Sequence, residues 1–129
     1  MAVSPEVLDH ALDLFRGLGP IRVGRMFSGM GLYVEDDVMF CMITSGGTIY
    51  MKSDDATGPK FVTAGSEPFT YSRATGDRQV KSLMSLPDSA VDDPDEAVEW
   101  ARLSIGPARV AAEKKRVEKA RKAAKKPKI

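Results

Sequence analysis

Cysteine and histidine are nearly missing from this chain. One of each occurs in 129 residues, Cys41 and His10. A lone thiol closes no internal disulfide, so a reducing, cytoplasmic setting is expected. Structural zinc sites draw four ligands, mostly Cys and His, so no metal site is expected. No apolar run approaches the roughly 18 residues that a membrane-spanning helix needs. The N-terminus MAVSPEVLDH carries acids where a secretory signal has basic residues and then an apolar stretch, so no signal peptide is expected. No nucleophile, base and oxyanion donor fall into a recognisable constellation, so neither enzymatic activity nor a cofactor is expected.

What is present is ordinary in amount and uneven in placement. Hydrophobic residues make up 43% and charged residues 29%, as in a soluble globular domain. The length suits one domain with a real core. The net charge of +1 conceals a division. Nine of the nineteen basic residues and two of the eighteen acidic ones fall in residues 113–129, which leaves that segment at +7 and the rest at −6. An acidic body with a basic C-terminal arm is the main global feature.

Local signals set the order of elements. Ser4, Pro5 and Glu6 start a helix: a capping hydroxyl, a proline at the first position and an acid in the first turn. Val7, Leu8, Ala11, Leu12 and Phe15 follow at helical spacing, and GLGP (17–20) ends it. His10 falls off this apolar stripe and is expected at the surface. Short strands are expected over 22–27, 31–34, 38–44 and 48–52. Turns at Glu35-Asp36-Asp37 and Ser45-Gly46-Gly47 make them antiparallel neighbours. An irregular segment, with room for a short helix near Pro59, leads to strands over 69–73 and 79–85. Asp93-Pro94-Asp95-Glu96 starts the last helix, with Asp93 as cap and Glu96 placed for a capping box. Gly106-Pro107 should break or kink it. The compact domain is therefore expected over 1–106. Residues 107–129 form a Lys/Ala-rich arm, helical and fraying or disordered.

This order predicts a two-layer α+β fold: an antiparallel sheet of five to six strands with N- and C-terminal helices packed on it. The segment VMFCMIT (38–44) does not alternate, although a strand with one solvated face should. Both faces are therefore expected to be covered. The helices cover one, and a second subunit (a homodimer) or a long helix of the same chain covers the other. Cys41, in mid-run, reads as a buried, inert thiol.

Gly29 and Gly31 lie in RMFSGMGLYV (25–34) and invite a phosphate-binding reading. Val34 occupies the third position of a dinucleotide fingerprint, and no helix follows. Met30 stands where a Walker loop spaced from Gly24 needs lysine. Glycines within strands instead mark a bulge, a bend or a close approach of backbone.

Arg25, Met26, Phe27, Gly29, Gly31 and Tyr33 resemble the RMFGGxGxY signature of the TfoX/Sxy family N-terminal domain, with Ser28 in place of its first glycine. Further similarities follow in order. Met39-Phe40 resembles its next strand, and Tyr50 and Lys52 lie in a strand similar to LYLK. Phe69 and Tyr71 sit in a PFxY-like segment, and Ser85-Leu86-Pro87 and Trp100 resemble its closing strand and helix. The resemblance covers about residues 5–105. It implies an α+β domain of competence regulators that acts in gene regulation beside a DNA-binding transcription factor, with no catalytic residues. The helical second domain of the longer regulators is replaced here by the basic arm.

Two function classes follow. The first is a regulatory binding module with a protein partner such as a transcription factor. Its arm residues Lys114, Lys115, Arg116, Lys119, Arg121, Lys122, Lys125, Lys126 and Lys128 would touch DNA or RNA phosphates without reading sequence. No aromatic residue is interleaved for base stacking. The alternative role of the arm is a solubilising tail, docked in cis on the acidic body. The second class is a small-ligand binder or enzyme, with a pocket between sheet and helices lined by Arg25, Tyr33, Tyr50 and Lys52. Of the acid clusters at 35–37, 54–55 and 92–96, the first reads as a hairpin turn and the third as a helix cap. The methionines at 26, 30, 39, 42, 51 and 84 read mainly as core, or as an adaptable partner surface should the outer sheet face be open.

Overall fold

Ser4 caps the first helix as its sequence requires: its Oγ accepts the Val7 N–H at 3.3 Å, and Pro5 fills the first helical position. The computed structural model describes residues 3–26 and 29–125. Helix α1 (Pro5–Leu14) buries Ala11 and Leu14 and leads Phe15 into the core. One 3₁₀ turn (Arg16–Leu18) follows. Gly19, at φ 97°, closes it in a backbone region that favours glycine.

Six strands then form one antiparallel sheet: β1 (Arg22–Met26), β2 (Gly29–Val34), β3 (Val38–Ile43), β4 (Ile49–Lys52), β5 (Pro68–Arg73) and β6 (Gly76–Ser85). Their spatial order is β1-β2-β3-β4-β6-β5. A short helix, α2 (Gly58–Thr63), joins β4 to β5, and α3 (Pro94–Lys125) closes the chain. The α+β expectation holds. The expected residue Phe27 lies outside the described residues. The second strand starts at Gly29 and the last at Gly76, earlier than their patterns suggest.

Cross-strand register sorts the side chains. Val23, Leu32, Cys41, Met51 and Met84 lie in one row across five strands and face the helices. Gly24, Gly31, Met42, Tyr50 and Ser85 form the neighbouring row and face away. The non-alternating VMFCMI run has a local cause. Leu32 pairs with Cys41 but Tyr33 pairs with Met39, so Phe40 is the extra residue of a β-bulge. The bulge resets the phase in mid-strand, and Val38, Phe40, Cys41 and Ile43 all join the core. Only Met39 and Met42 are left for the outer face. A covering subunit is therefore not needed to explain the run.

The core lies between the sheet and the helices. Phe15 meets Phe40 edge-on at 5.3 Å, and Phe61 of α2 lies 4.7 Å from Trp100 of α3. Helix α3 presents Ala97, Ala101, Ser104, Ala108 and Ala112 inward. These small side chains let the helix lie close to β3 and β4, to which it is packed.

The helix starts as expected, with Asp93 Oδ1 accepting the Asp95 and Glu96 N–H groups. Glu96 does not complete a capping box. Its Oε2 accepts instead from Ser89 Oγ at 2.5 Å and Trp100 Nε1 at 3.1 Å. Nor does Gly106-Pro107 end the helix: α3 runs through Pro107 to Lys125. Contacts on both sides of the proline hold it, since Ala101 and Ser104 before and Ala108 and Ala112 after are buried on the same face. Tertiary packing overrides the local preference.

Candidate functional site

The glycines of the second strand make room for one ring. A Cβ at Gly31 would sit 3.0 Å from Tyr33 Cε1, and a Cβ at Gly24 would meet the same atom at 3.0 Å. Tyr33 therefore lies across both glycines on the outer face. Gly29 approaches backbone: a Cβ there would be 2.2 Å from the Ile43 carbonyl oxygen. Close approach, not phosphate binding, explains the motif.

Tyr33 in turn seats Arg22, whose guanidinium carbon is 4.1 Å from the ring centroid. Arg22 Nε donates to the Asp36 carbonyl at 2.7 Å. That carbonyl belongs to the β2–β3 turn, where Glu35 (φ 49°) and Asp36 (φ 71°) both take a left-handed conformation. Such residues cost roughly 1–3 kcal/mol each unless their surroundings hold them. The turn is held from the other side by α3. Arg109 donates from Nε and Nη2 to the Glu35 carboxylate, and Arg116 Nε donates to Asp37 Oδ2 at 2.7 Å. Arg109 and Arg116 are seven residues apart, two helical turns, and so share a face. Hydrogen bonding from Arg109 holds Glu35 below the usual carboxylate range, and Arg116 does the same to Asp37. Arg109 was not singled out from sequence; its spacing from Arg116 and the two acids flanking Asp36 were the available signal.

The expected basic residues divide accordingly. Arg116 is committed to Asp37 within the chain, so part of the arm docks on the acidic body in cis. Lys114, Lys115, Lys119, Arg121 and Lys122 are exposed along the same helix. Lys125 ends it, and Lys126 and Lys128 lie outside the described residues. The acid clusters act as turns and caps: Asp54 Oδ1 accepts the Ala56 and Thr57 N–H groups at 3.0 and 2.9 Å, which lowers its pKa. His10 Nε2 lies 2.7 Å from the Val91 carbonyl and ties α1 to the segment before α3. Cys41 is fully buried, and burial pushes its thiol pKa far up.

The four residues expected to line one pocket are not brought together. Tyr33 borders a groove of about 700 Å³ between α3 and the end of β2, together with Arg22, Arg102 and Arg109. Tyr50 borders a groove of about 500 Å³ at the opposite end of the sheet. Arg25 is exposed on β1 and lines neither. Lys52 borders a groove of about 660 Å³ on the outer face, with Met39, Met42, Phe69, Tyr71 and Leu83.

Two of the aromatic motif positions, Phe69 and Tyr71, line this outer groove, and Tyr50 packs beside them. Tyr50 and Phe69 meet edge-on at 5.1 Å, and Phe69 stacks on Tyr71 at 5.9 Å. A slip in register brings them there, since Pro68 pairs with Met84 but the next residue, Phe69, pairs with Val80. The slip turns the outer part of the β5–β6 hairpin away from β4, which pairs only with Leu83–Ser85. The methionines separate by face: Met51 and Met84 are core, whereas Met39 and Met42 line the groove. Trp100 lies on the helical side of the sheet, where Phe61 packs against it. Burial lowers the Lys52 pKa, and the nearby charge of Lys115 lowers it further.

The architecture defines a two-layer α+β domain whose distinctive chemistry lies on its surface, in a braced basic helix and an apolar groove. The chain belongs to the TfoX N-terminal domain family, whose model matches residues 13–108. Membership supports a regulatory domain. A comparison with curated proteins gave no match. No described helix is long and apolar enough to cross a membrane.

Proposed function

We propose that this protein is a non-enzymatic regulatory module, acting in the cytoplasm on transcription through a protein partner, with α3 adding weak, sequence-blind contact to nucleic acid. The observation that carries the reading is the bracing of α3. Arg109 and Arg116 fix the helix to the body, and Lys114 between them and Lys119, Arg121 and Lys122 beyond them are exposed on a helix rather than a loose tail. Cations on a firm rod follow a phosphate backbone with little ordering entropy left to lose. Residues 113–125 of α3 carry no aromatic side chain for base stacking, so affinity should be low and steeply salt-dependent.

The protein partner has a candidate surface in the β5–β6 hairpin. Residues 70–79 are exposed wherever their side chains are described, and β5 is an edge strand with unpaired backbone groups. Such an edge accepts a strand from a partner or from a second copy of the chain.

The test uses the full chain with Lys114, Lys119, Arg121 and Lys122 changed to Gln. Fluorescence anisotropy with a random-sequence DNA duplex at low salt should give weaker binding. The slope of log Kd against log salt should become shallower by about 0.9 for each phosphate no longer neutralised. Equal binding and equal slopes would remove nucleic acid from the proposal. Affinity capture from cell extract, with and without nuclease, addresses the partner. A protein retained after nuclease treatment is the expected result.

A further inference from the structure

Among the described residues, neither Lys52 nor Lys115 is paired with a carboxylate. Both nonetheless line the same outer-face groove, Lys52 from the end of β4 and Lys115 from α3. Two like charges at one groove repel each other, and half-buried Lys52 also loses hydration; neither effect favours the empty groove. Met42 and Leu83, at 4% and 7% exposure, form part of its floor, and Phe69, Tyr71 and Val80 line its sides. The groove's volume of about 660 Å³ lies within the roughly 300–1,000 Å³ typical of small-molecule sites. The flexible Met39 and Met42 side chains allow the floor to adapt to its occupant.

We infer that this groove binds a small anionic amphiphile, an aliphatic or aromatic body on the methionine and aromatic surface with one carboxylate, sulfonate or phosphate head between Lys52 and Lys115. The charge arrangement selects the head: an anion there relieves the lysine–lysine repulsion and supplies the missing partner for both. The apolar floor selects the body. The inference goes beyond the regulatory reading and is tested separately from it: DNA contact is assigned to other basic residues of α3 and protein contact to the backbone edge of β5, with Tyr71 shared by the hairpin and the groove. Lys52 would bind most strongly as the ammonium, so affinity should fall as the pH rises through its lowered pKa.

Two probes with closely related aromatic bodies provide the test: 8-anilinonaphthalene-1-sulfonate, which is anionic, and N-phenyl-1-naphthylamine, which is neutral. The intact chain should bind the sulfonate at one saturable site. The Lys52→Gln/Lys115→Gln double variant should lose about tenfold or more in sulfonate affinity while keeping its affinity for the neutral probe. Competition by decanoate and by decyl phosphate, each removing the bound sulfonate, distinguishes a carboxylate from a phosphate preference; displacement by neither overturns the inference. Methyl NMR of the intact chain gives a reading that does not depend on a variant's folding: Met39 and Met42 signals should move on titration with the sulfonate, and those of Met51 and Met84, which face the helices, should stay. No saturable binding, equal sulfonate affinity in the double variant, or equal loss for both probes overturns the inference. So does a dimer in sedimentation equilibrium that excludes the sulfonate, since a second copy would then be the occupant.

Discussion

At the residue scale, the two glycines flanking Met30 do different work, and substitution separates them. A Cβ at Gly29 would meet the Ile43 carbonyl oxygen at 2.2 Å, which only a shift of backbone relieves. A Cβ at Gly31 would meet the Met39 sulfur at 2.9 Å and the Tyr33 ring at 3.0 Å, both parts of side chains. Gly29→Ala should therefore destabilise the fold by about 1–3 kcal/mol, and Gly31→Ala by less, in urea unfolding followed by circular dichroism. Gly31→Ala should instead disturb Tyr33, seen as a change in its near-ultraviolet signal. The sequence allowed a close-approach reading of this motif through its failed match to phosphate loops. It could not say what approaches, because Ile43 reaches Gly29, and Tyr33 reaches Gly24, only through strand pairing.

At the element scale, α3 is where local preference and tertiary packing disagree. Pro107 removes the hydrogen bond to the Leu103 carbonyl, and Gly106 has open space where a Cβ would go. The pair weakens the helix without ending it, because the inward alanines span the defect. Gly106→Ala/Pro107→Ala should raise stability by about 1–4 kcal/mol, read as a higher urea midpoint with an unchanged slope. An unchanged or lower midpoint would mean that the proline ring makes packing worth more than the missing hydrogen bond.

The helix starts were legible in the sequence, since Ser4-Pro5 and Asp93-Pro94 carry their caps beside them. So were the hairpin turns at 35–37 and 45–47 and the antiparallel pairing of the strands they join; the turn expected at Gly76-Asp77 falls inside β6, and the pairing of β6 with β4 was not legible. The bulge at Phe40 and the slip at Pro68/Phe69 were not legible either: the broken alternation of 38–44 fits a strand covered on both faces as well as a bulge, and only the pairing partner decides between them. The continuation of α3 past Pro107 was hidden for the same kind of reason: it depends on what lies under the helix. Of the outer groove, the sequence marked Lys52, Phe69 and Tyr71 as motif residues but did not bring Lys115 to them.

At the scale of the whole molecule, the division of charge is partly a fastening. The acidic turn at 35–37 and the basic helix meet through Arg109–Glu35 and Arg116–Asp37. Both carboxyls have folded pKa values below their ordinary ones. Their contribution to stability is thus complete above the ordinary carboxylate pKa of about 4 and is lost as the pH falls through the depressed folded values. Arg109→Gln/Arg116→Gln should lower Tm slightly at neutral pH, since all four side chains are substantially exposed. The difference from the parent should shrink under acid conditions, in thermal scans from neutrality to below about pH 3. High salt at neutral pH should reduce it as well. A difference that stays constant with pH would show that the arginines act through their aliphatic stems alone.

The β5–β6 hairpin beyond β4 bears little of the domain's weight. Its outer residues lean mainly on one another, so their identity is only loosely constrained by the packing of the interior. An affinity tag or foreign epitope grafted between Ala74 and Thr75 would be carried at the exposed end of that ribbon, and the natural chain has the same freedom to lengthen or recode this tip while keeping its frame.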